Sequence, residues 1–274
     1  MTDTAPDVPS LLPLAQRTRL AGGPRLTTPI GDAANGRHIV WHRWAPDVPA
    51  VDAPPVVLFH GGSGSWTHWV KNIVPLLDAG RRVLAVDLPG FGDSDPPEGG
   101  TDADAMVAPL AAGLGALLGG EPVDLVGFSL GGAMALRLAP LLNPARIDLI
   151  APGAPLHLGD FLPRMAGAPV FRAARYPVLL RTLTAAQALG FRTLPDRALD
   201  MLFAGAAEGD RALLADPARR ALLLAAIRGS LAARRAAYLA EVTDYVRRWK
   251  VRLPERVPLT IWQGEADTWV TPEM

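Results

Sequence analysis

From His38 onward the chain alternates short apolar runs, rich in β-branched residues, with longer stretches of helical spacing. That rhythm is the mark of a mostly parallel sheet whose strands are joined by crossover helices. The runs are His38 to Trp44, Pro55 to His60, Arg82 to Leu88, Val123 to Ser129, Arg146 to Ala151 and Pro258 to Gly264. Several are apolar on consecutive positions, which suits strands covered on both faces. Helical spacing marks Trp66 to Leu77, Thr101 to Leu118 and Leu130 to Leu142, with Thr101 or Asp102 as a cap for the second and Gly119-Gly120 as its end.

The rhythm breaks between about 151 and 258, where Arg175 to Leu189, Arg211 to Ile227 and Leu231 to Trp249 read as amphipathic helices without a convincing strand. The expected division is an irregular N-terminal arm over 1–35, an α/β core over 36–154, a helical insertion over 155–235 and the rest of the core over 236–274. The helix before the strand at Pro258 is expected to return to the core.

Charge and composition narrow the function classes. Formal net charge is zero, so nothing draws the chain as a whole to phosphate backbones or anionic lipid, and nucleic-acid binding is disfavoured. No cysteine is present, which removes disulfides, thiolate metal sites and a cysteine nucleophile. The first twenty residues lack the basic start and unbroken apolar run of a leader, and no stretch reaches a membrane-spanning length. The expectation is a soluble cytoplasmic protein without a membrane span.

Four motifs carry chemistry. Gly127-Phe128-Ser129-Leu130-Gly131 falls between an apolar run and a helical one. A serine on a tight strand-to-helix turn is lifted clear of the sheet, and glycines two positions either side remove the clashes such a turn would create. His60-Gly61-Gly62, after the run PVVLF, is a glycine loop whose Gly62 amide, with that of Leu130, can form a two-donor oxyanion hole. His60 reads as a brace for this loop rather than as a base. Asp87 to Ser94, after RVLAV, is a turn whose carboxylates organise the loop. Asp267, on the loop after LTIW, is the candidate for orienting a histidine, with Glu265 the weaker alternative.

In this order the motifs resemble the α/β-hydrolase fold family, in its serine hydrolase branch with a helical cap, over residues 36–274. The resemblance implies Ser129 as nucleophile, Asp267 as triad acid, the Gly62 and Leu130 amides as oxyanion donors, and the insertion as the cap. It implies a small-molecule substrate of apolar character, and neither metal nor organic cofactor. Esters, lactones and thioesters are the expected substrates, with carbon-carbon bond hydrolysis as an alternative. In the family a histidine follows one further strand, whereas here Thr268 to Met274 follow Asp267 and none of the five histidines lies beyond His157. The reading therefore expects a chain truncated before the last strand, its helix and the catalytic histidine, inactive or weakly active as given. His157 as a substitute base and a non-catalytic ligand-binding relative are the competing accounts. A missing last strand would leave a sheet edge for self-association.

Within the expected cap, Phe161, Phe171, Tyr176, Leu179, Leu189, Phe191, Met201 and Phe203 are candidates for an apolar pocket or for plain helix packing. Arg164, Arg172, Arg175 and Arg181 are candidates for attracting an anionic group or for solvated helix faces.

Overall fold

The computed structural model describes residues 8–62, 64–97, 103–228, 235–248 and 255–274. Their strands are β1 (Arg25–Pro29), β2 (His38–Trp44), β3 (Val56–Phe59), β4 (Val83–Val86), β5 (Val123–Phe128), β6 (Pro144–Ile150) and β7 (Leu259–Trp262). They form one seven-stranded sheet in the order β1-β2-β4-β3-β5-β6-β7. Pairing is parallel from β4 through β7 and antiparallel at β1-β2 and β2-β4. After β3 the chain steps to one side for β4 and to the other for β5. That reversal is a topological switch point, where open α/β sheets leave a crevice at the carboxyl ends of their strands.

The helices before β6 are α1 (Leu14–Ala21), α2 (Val70–Asp78), α3 (Ala103–Leu118) and α4 (Leu130–Leu138). All four residues of β3 are buried, and they divide between two cores. Val57 and Phe59 pack with Met106, Leu110, Leu114 and Met134 on one face. Val56 and Leu58 pack with Leu20, Ile73 and Leu77 on the other. A run without polar alternation is what this two-sided burial requires.

The expectation of an irregular arm over 1–35 is corrected. Residues 1–7 lie outside the described residues, but α1 and β1 are regular, and β1 pairs along its whole length with β2. Trp44 Nε1 donates to Leu20 O at 2.9 Å and Trp41 Nε1 to Thr28 Oγ1 at 2.9 Å, so two buried indoles pin the segment to the sheet. Its sequence, RLTTP, gave little warning because proline is tolerated on a strand at the sheet's edge. The proposed caps Thr101 and Asp102 lie outside the described residues. Gly119 and Gly120, at φ 61° and 80°, follow the end of α3.

Between β6 and β7 lie α5 (Ala168–Ala173), α6 (Pro177–Thr193), α7 (Pro195–Leu202), α8 (Glu208–Leu214), α9 (Pro217–Ile227) and α10 (Arg235–Val246). The single helix expected over Arg211 to Ile227 is two. Asp216 accepts from Ala218 N and Pro217 opens α9, so a cap and a proline restart the helix. α10 contributes Ala237 to the core beneath it, yet its Val242 and Tyr245 pack with Met165, Val170, Phe171 and Leu180 of the inserted helices. Among the described residues, no helix is long and apolar enough to cross a membrane.

Candidate active site

Ser129 stands between β5 and α4 at φ 52° and ψ −117°, a backbone conformation that a residue with a side chain adopts only when its surroundings enforce it. The enforcement is visible. Its N–H donates to Ile150 O at 2.9 Å, tying the turn to β6. A Cβ at Gly127 would lie 2.3 Å from Gly131 O, and one at Gly131 would lie 2.1 Å from Phe59 O. Leu130 opens α4, so its N–H is one of those a helix start leaves without an intrahelical acceptor.

The loop after β3 is fixed by His60, which is fully buried. Its Nε2 accepts from Leu88 N at 3.0 Å, which leaves Nδ1 as the protonated nitrogen, donating to Gly61 O at 2.7 Å. Burial holds this imidazole below its ordinary pKa, against the opposing pull of the Asp87 charge. Gly61 then passes close to the Ser129 turn: a Cβ there would meet Phe128 at 2.9 Å and Ser129 Cβ at 3.3 Å. Asp87 organises the next loop. Its oxygens accept from Trp66 N at 2.8 Å and Asp93 N at 3.0 Å, with His42 Nε2 3.6 Å away. Burial alone would raise this carboxyl, but these partners and His60 hold it below the usual range.

Asp267 is half-buried on the loop after β7. Its Oδ1 accepts from Trp269 N at 2.8 Å and Val270 N at 3.0 Å, and its Oδ2 accepts from Gln263 Nε2 at 3.2 Å. The carboxylate thus shapes its own loop, which turns Trp269 and Val270 toward the cavity described next. Glu265 is exposed.

A cavity of about 290 Å³ brings together Gly61, Gly62, Phe128 and Ser129 under the inserted helices. Of the apolar candidates, Phe171, Phe191 and Phe203 line it, and Phe161 packs with the cluster of Phe171. Tyr176, Leu179, Leu189 and Met201 are exposed. Arg164 pairs with Glu273 at 2.8 Å, and Arg172, Arg175 and Arg181 do not line the cavity.

The histidine that does reach the cavity is His68, which sequence reasoning did not single out. Burial, with a smaller push from His60, lowers it to about 3, and its Nδ1 has no hydrogen-bond partner. An imidazole of that pKa is a weak proton acceptor at neutral pH. His157 is exposed in a short turn, Leu156–Leu158, away from the cavity lining. Among the described residues, no group of three His, Asp or Glu side chains is placed to hold a metal ion.

Two further groups come from α10. Tyr238, Glu241, Val242 and Tyr245 recur at helical spacing and face the cavity. The Tyr245 hydroxyl is buried beside Ser129 without a partner of ordinary hydrogen-bond geometry. The Glu241 carboxyl lies over Gly62, where a Cβ would fall 1.5 Å from its Oε2, and the Gly62 amide offsets part of the rise that burial imposes on this carboxyl. The available signal was an acid within an otherwise apolar helical stripe.

A family model described as the alpha/beta hydrolase family matches residues 56–274. The chain belongs to the alpha/beta hydrolase family. Among curated relatives, it is 38% identical over 110 residues to a 2-hydroxy-6-oxo-6-phenylhexa-2,4-dienoate hydrolase of Comamonas testosteroni, covering 38% of each chain. It is 36% identical over 116 residues to a 2-hydroxy-6-oxononadienedioate/2-hydroxy-6-oxononatrienedioate hydrolase of the same organism, covering 41% of this chain and 40% of the relative. The matched parts therefore span about two fifths of these relatives' lengths. The same fold appears in the Cif epoxide hydrolase of Acinetobacter nosocomialis, with a TM-score of 0.63 at 14% identity over 92% of this chain and 76% of that one. It appears again in a thermophilic esterase of Thermogutta terrifontis, with a TM-score of 0.55 at 20% identity over 91% and 83%.

Proposed function

We propose that this alpha/beta hydrolase acts through Ser129 on the carbonyl carbon of a small, largely apolar substrate enclosed by the inserted helices as a cap. The observation that carries the reading is Ser129 held at φ 52° on the cavity wall, with Gly61 and Gly62 beside it. Such a turn frees the hydroxyl from the sheet and places it at the start of a helix. Attack by Oγ forms a tetrahedral oxyanion, for which the Gly62 and Leu130 N–H groups are the donors. The leaving group departs with a proton, and water resolves the acyl-enzyme. Esters, thioesters and lactones suit this sequence of steps.

A serine hydroxyl needs a base, and in this reading Asp267 orients one. The hydrogen bonds of Asp267 go to Gln263, Trp269 and Val270, and the cavity's own histidine is too weakly basic. With His68 this weakly basic, slow turnover is expected. A ligand-binding role under the cap draws on the same observation.

Carbon-carbon bond hydrolysis is the second reading, supported by the two Comamonas relatives. There too a serine oxygen would attack a ketone carbon, with a carbanion as leaving group.

The test is labelling by a fluorophosphonate, followed by peptide mass spectrometry, beside turnover of short-chain nitrophenyl esters. Slow labelling confined to Ser129 and abolished in Ser129→Ala is expected. Labelling that persists in Ser129→Ala overturns the reading.

A further inference from the structure

Glu241 is a buried carboxyl to which the proposed mechanism gives no task. It projects from α10 onto the glycine loop, and its oxygens occupy the space directly over Gly62. The Gly62 amide acts on the carboxyl against the rise that burial causes. That N–H is the one the proposed mechanism needs for an oxyanion. We propose that the Glu241 side chain is an internal ligand of the Gly62 amide, which a substrate's carbonyl oxygen must displace before Ser129 can react. The inference rests on the reading of Gly62 as an oxyanion donor.

The surroundings make the contact displaceable. The charged groups acting on Glu241 include no cation among the described residues: its acidic neighbour on the helix, Asp244, is instead paired with Arg137 of α4 at 3.0 Å. Burial first, and then Asp244, push the Glu241 carboxyl up to about 8, so it is neutral at pH 7. A neutral carbonyl accepts a hydrogen bond about half as strongly as a carboxylate does. The carboxyl thereby shields the Gly62 amide in the empty site, where a bare buried amide would be costly, without holding it so firmly that a ligand cannot take its place. When displaced, a neutral carboxyl still has an O–H to donate. It can serve a second oxygen of the ligand or the cavity itself.

The arrangement predicts how side chains at this position change affinity for a carbonyl compound that does not react. Benzamide is the probe, chosen because its ring suits a cavity walled by Phe171, Phe191 and Phe203 and its amide does not acylate a serine readily. Glu241→Leu keeps the packing volume and removes the acceptor, whereas Glu241→Gln keeps an acceptor oxygen. Isothermal calorimetry should show benzamide binding about tenfold tighter to Glu241→Leu than to wild type, and equally to Glu241→Gln and wild type. Equal affinity in Glu241→Leu and wild type, or no binding to a Glu241→Leu protein shown folded by circular dichroism, overturns the proposal. Glu241→Met is the replacement if the leucine variant does not fold. Nuclear magnetic resonance on wild type gives an independent reading: benzamide should shift the Gly62 amide and the Glu241 carboxyl carbon together. A shift of Gly62 with Glu241 unmoved would also overturn it. None of these readouts needs a reactive Ser129, so phosphonate labelling can fail while this inference stands, and the reverse.

Discussion

Arg137 Nη2 on α4 lies 3.0 Å from Asp244 Oδ2 on α10, and each side chain is only 7% exposed. The same guanidinium reaches Asp104 of α3 through Nε at 3.0 Å. One cation therefore ties the helix that follows Ser129 to the helix that delivers Glu241 and Tyr245. Removing Asp244 leaves the guanidinium its exposed partner Asp104, so the cost stays below the ~3–5 kcal/mol of a fully orphaned buried charge. Asp244→Ala is expected to lose about 1–3 kcal/mol in urea unfolding, and Asp104→Ala, at an exposed carboxylate, to lose under about 1 kcal/mol. Equal losses would show that α10 is not anchored through this pair.

The Ser129 turn and the last turn of α3 offer opposite outcomes for the same substitution. Gly131→Ala would drive a Cβ to 2.1 Å from the Phe59 carbonyl oxygen, which is main chain and cannot step aside. A loss of about 2–3 kcal/mol is expected, with the Ser129 turn displaced. Gly115→Ala meets nothing within 4 Å in the helix and should gain about 0.5–1 kcal/mol. Thermal unfolding of the two variants checks both signs.

Stability should carry the signature of Glu241 as pH changes. Its folded pKa, about 8, is raised above the ordinary 4.5, so the folded state holds a proton that the unfolded state has released between those values. Stability from this group is present below pH 4.5 and is lost as pH rises to 8, by at most about 1.4 kcal/mol per unit. His68, lowered to about 3, acts with the opposite sign, contributing stability above pH 6.5 that is lost as pH falls. Comparing wild type with Glu241→Gln cancels His68. Tyr238, Asp244 and Tyr245, which pack around the same carboxyl, are unchanged by the substitution. The stability gap between the two proteins should move in favour of Glu241→Gln from pH 5 to pH 8, and a gap that stays constant refutes the assignment.

β7 pairs with β6 on one side, and its residues Ile261 and Trp262 are 56% and 58% exposed. An apolar edge strand is a template for pairing with another chain. Sedimentation velocity is expected to show concentration-dependent association that Ile261→Lys suppresses. A wild-type protein that stays monomeric at high concentration counts against self-association through this edge.

β3 and β4 were legible because each is an unbroken run of β-branched and aliphatic residues, which two-faced burial demands, and the other strands from β2 to β7 because shorter apolar runs recur at the same rhythm. The Ser129 turn was legible because Gly127, Ser129 and Gly131 are fixed by local sterics that a pentapeptide displays. β1 was not, since Thr27, Thr28 and Pro29 derive their order from the Trp41 and Trp44 indoles, which belong to another strand. Glu241 and Tyr245 were missed for a related reason. Helical spacing shows that they share a stripe, but their task depends on where α10 lands, and the pairing of Asp244 with Arg137, 107 residues away in the chain, decides that. Asp267 was located correctly as a loop carboxylate, while its partners in that loop were not foreseeable from spacing.

The neutral ring of His60 has a kinetic consequence. Its Nε2 cannot take a proton while it accepts the Leu88 N–H, so acid reaches this imidazole only when the end of β4 opens. Amide exchange at Leu88 and the protonation of His60 are thus expected to report one local event, at the loop that bears Gly61.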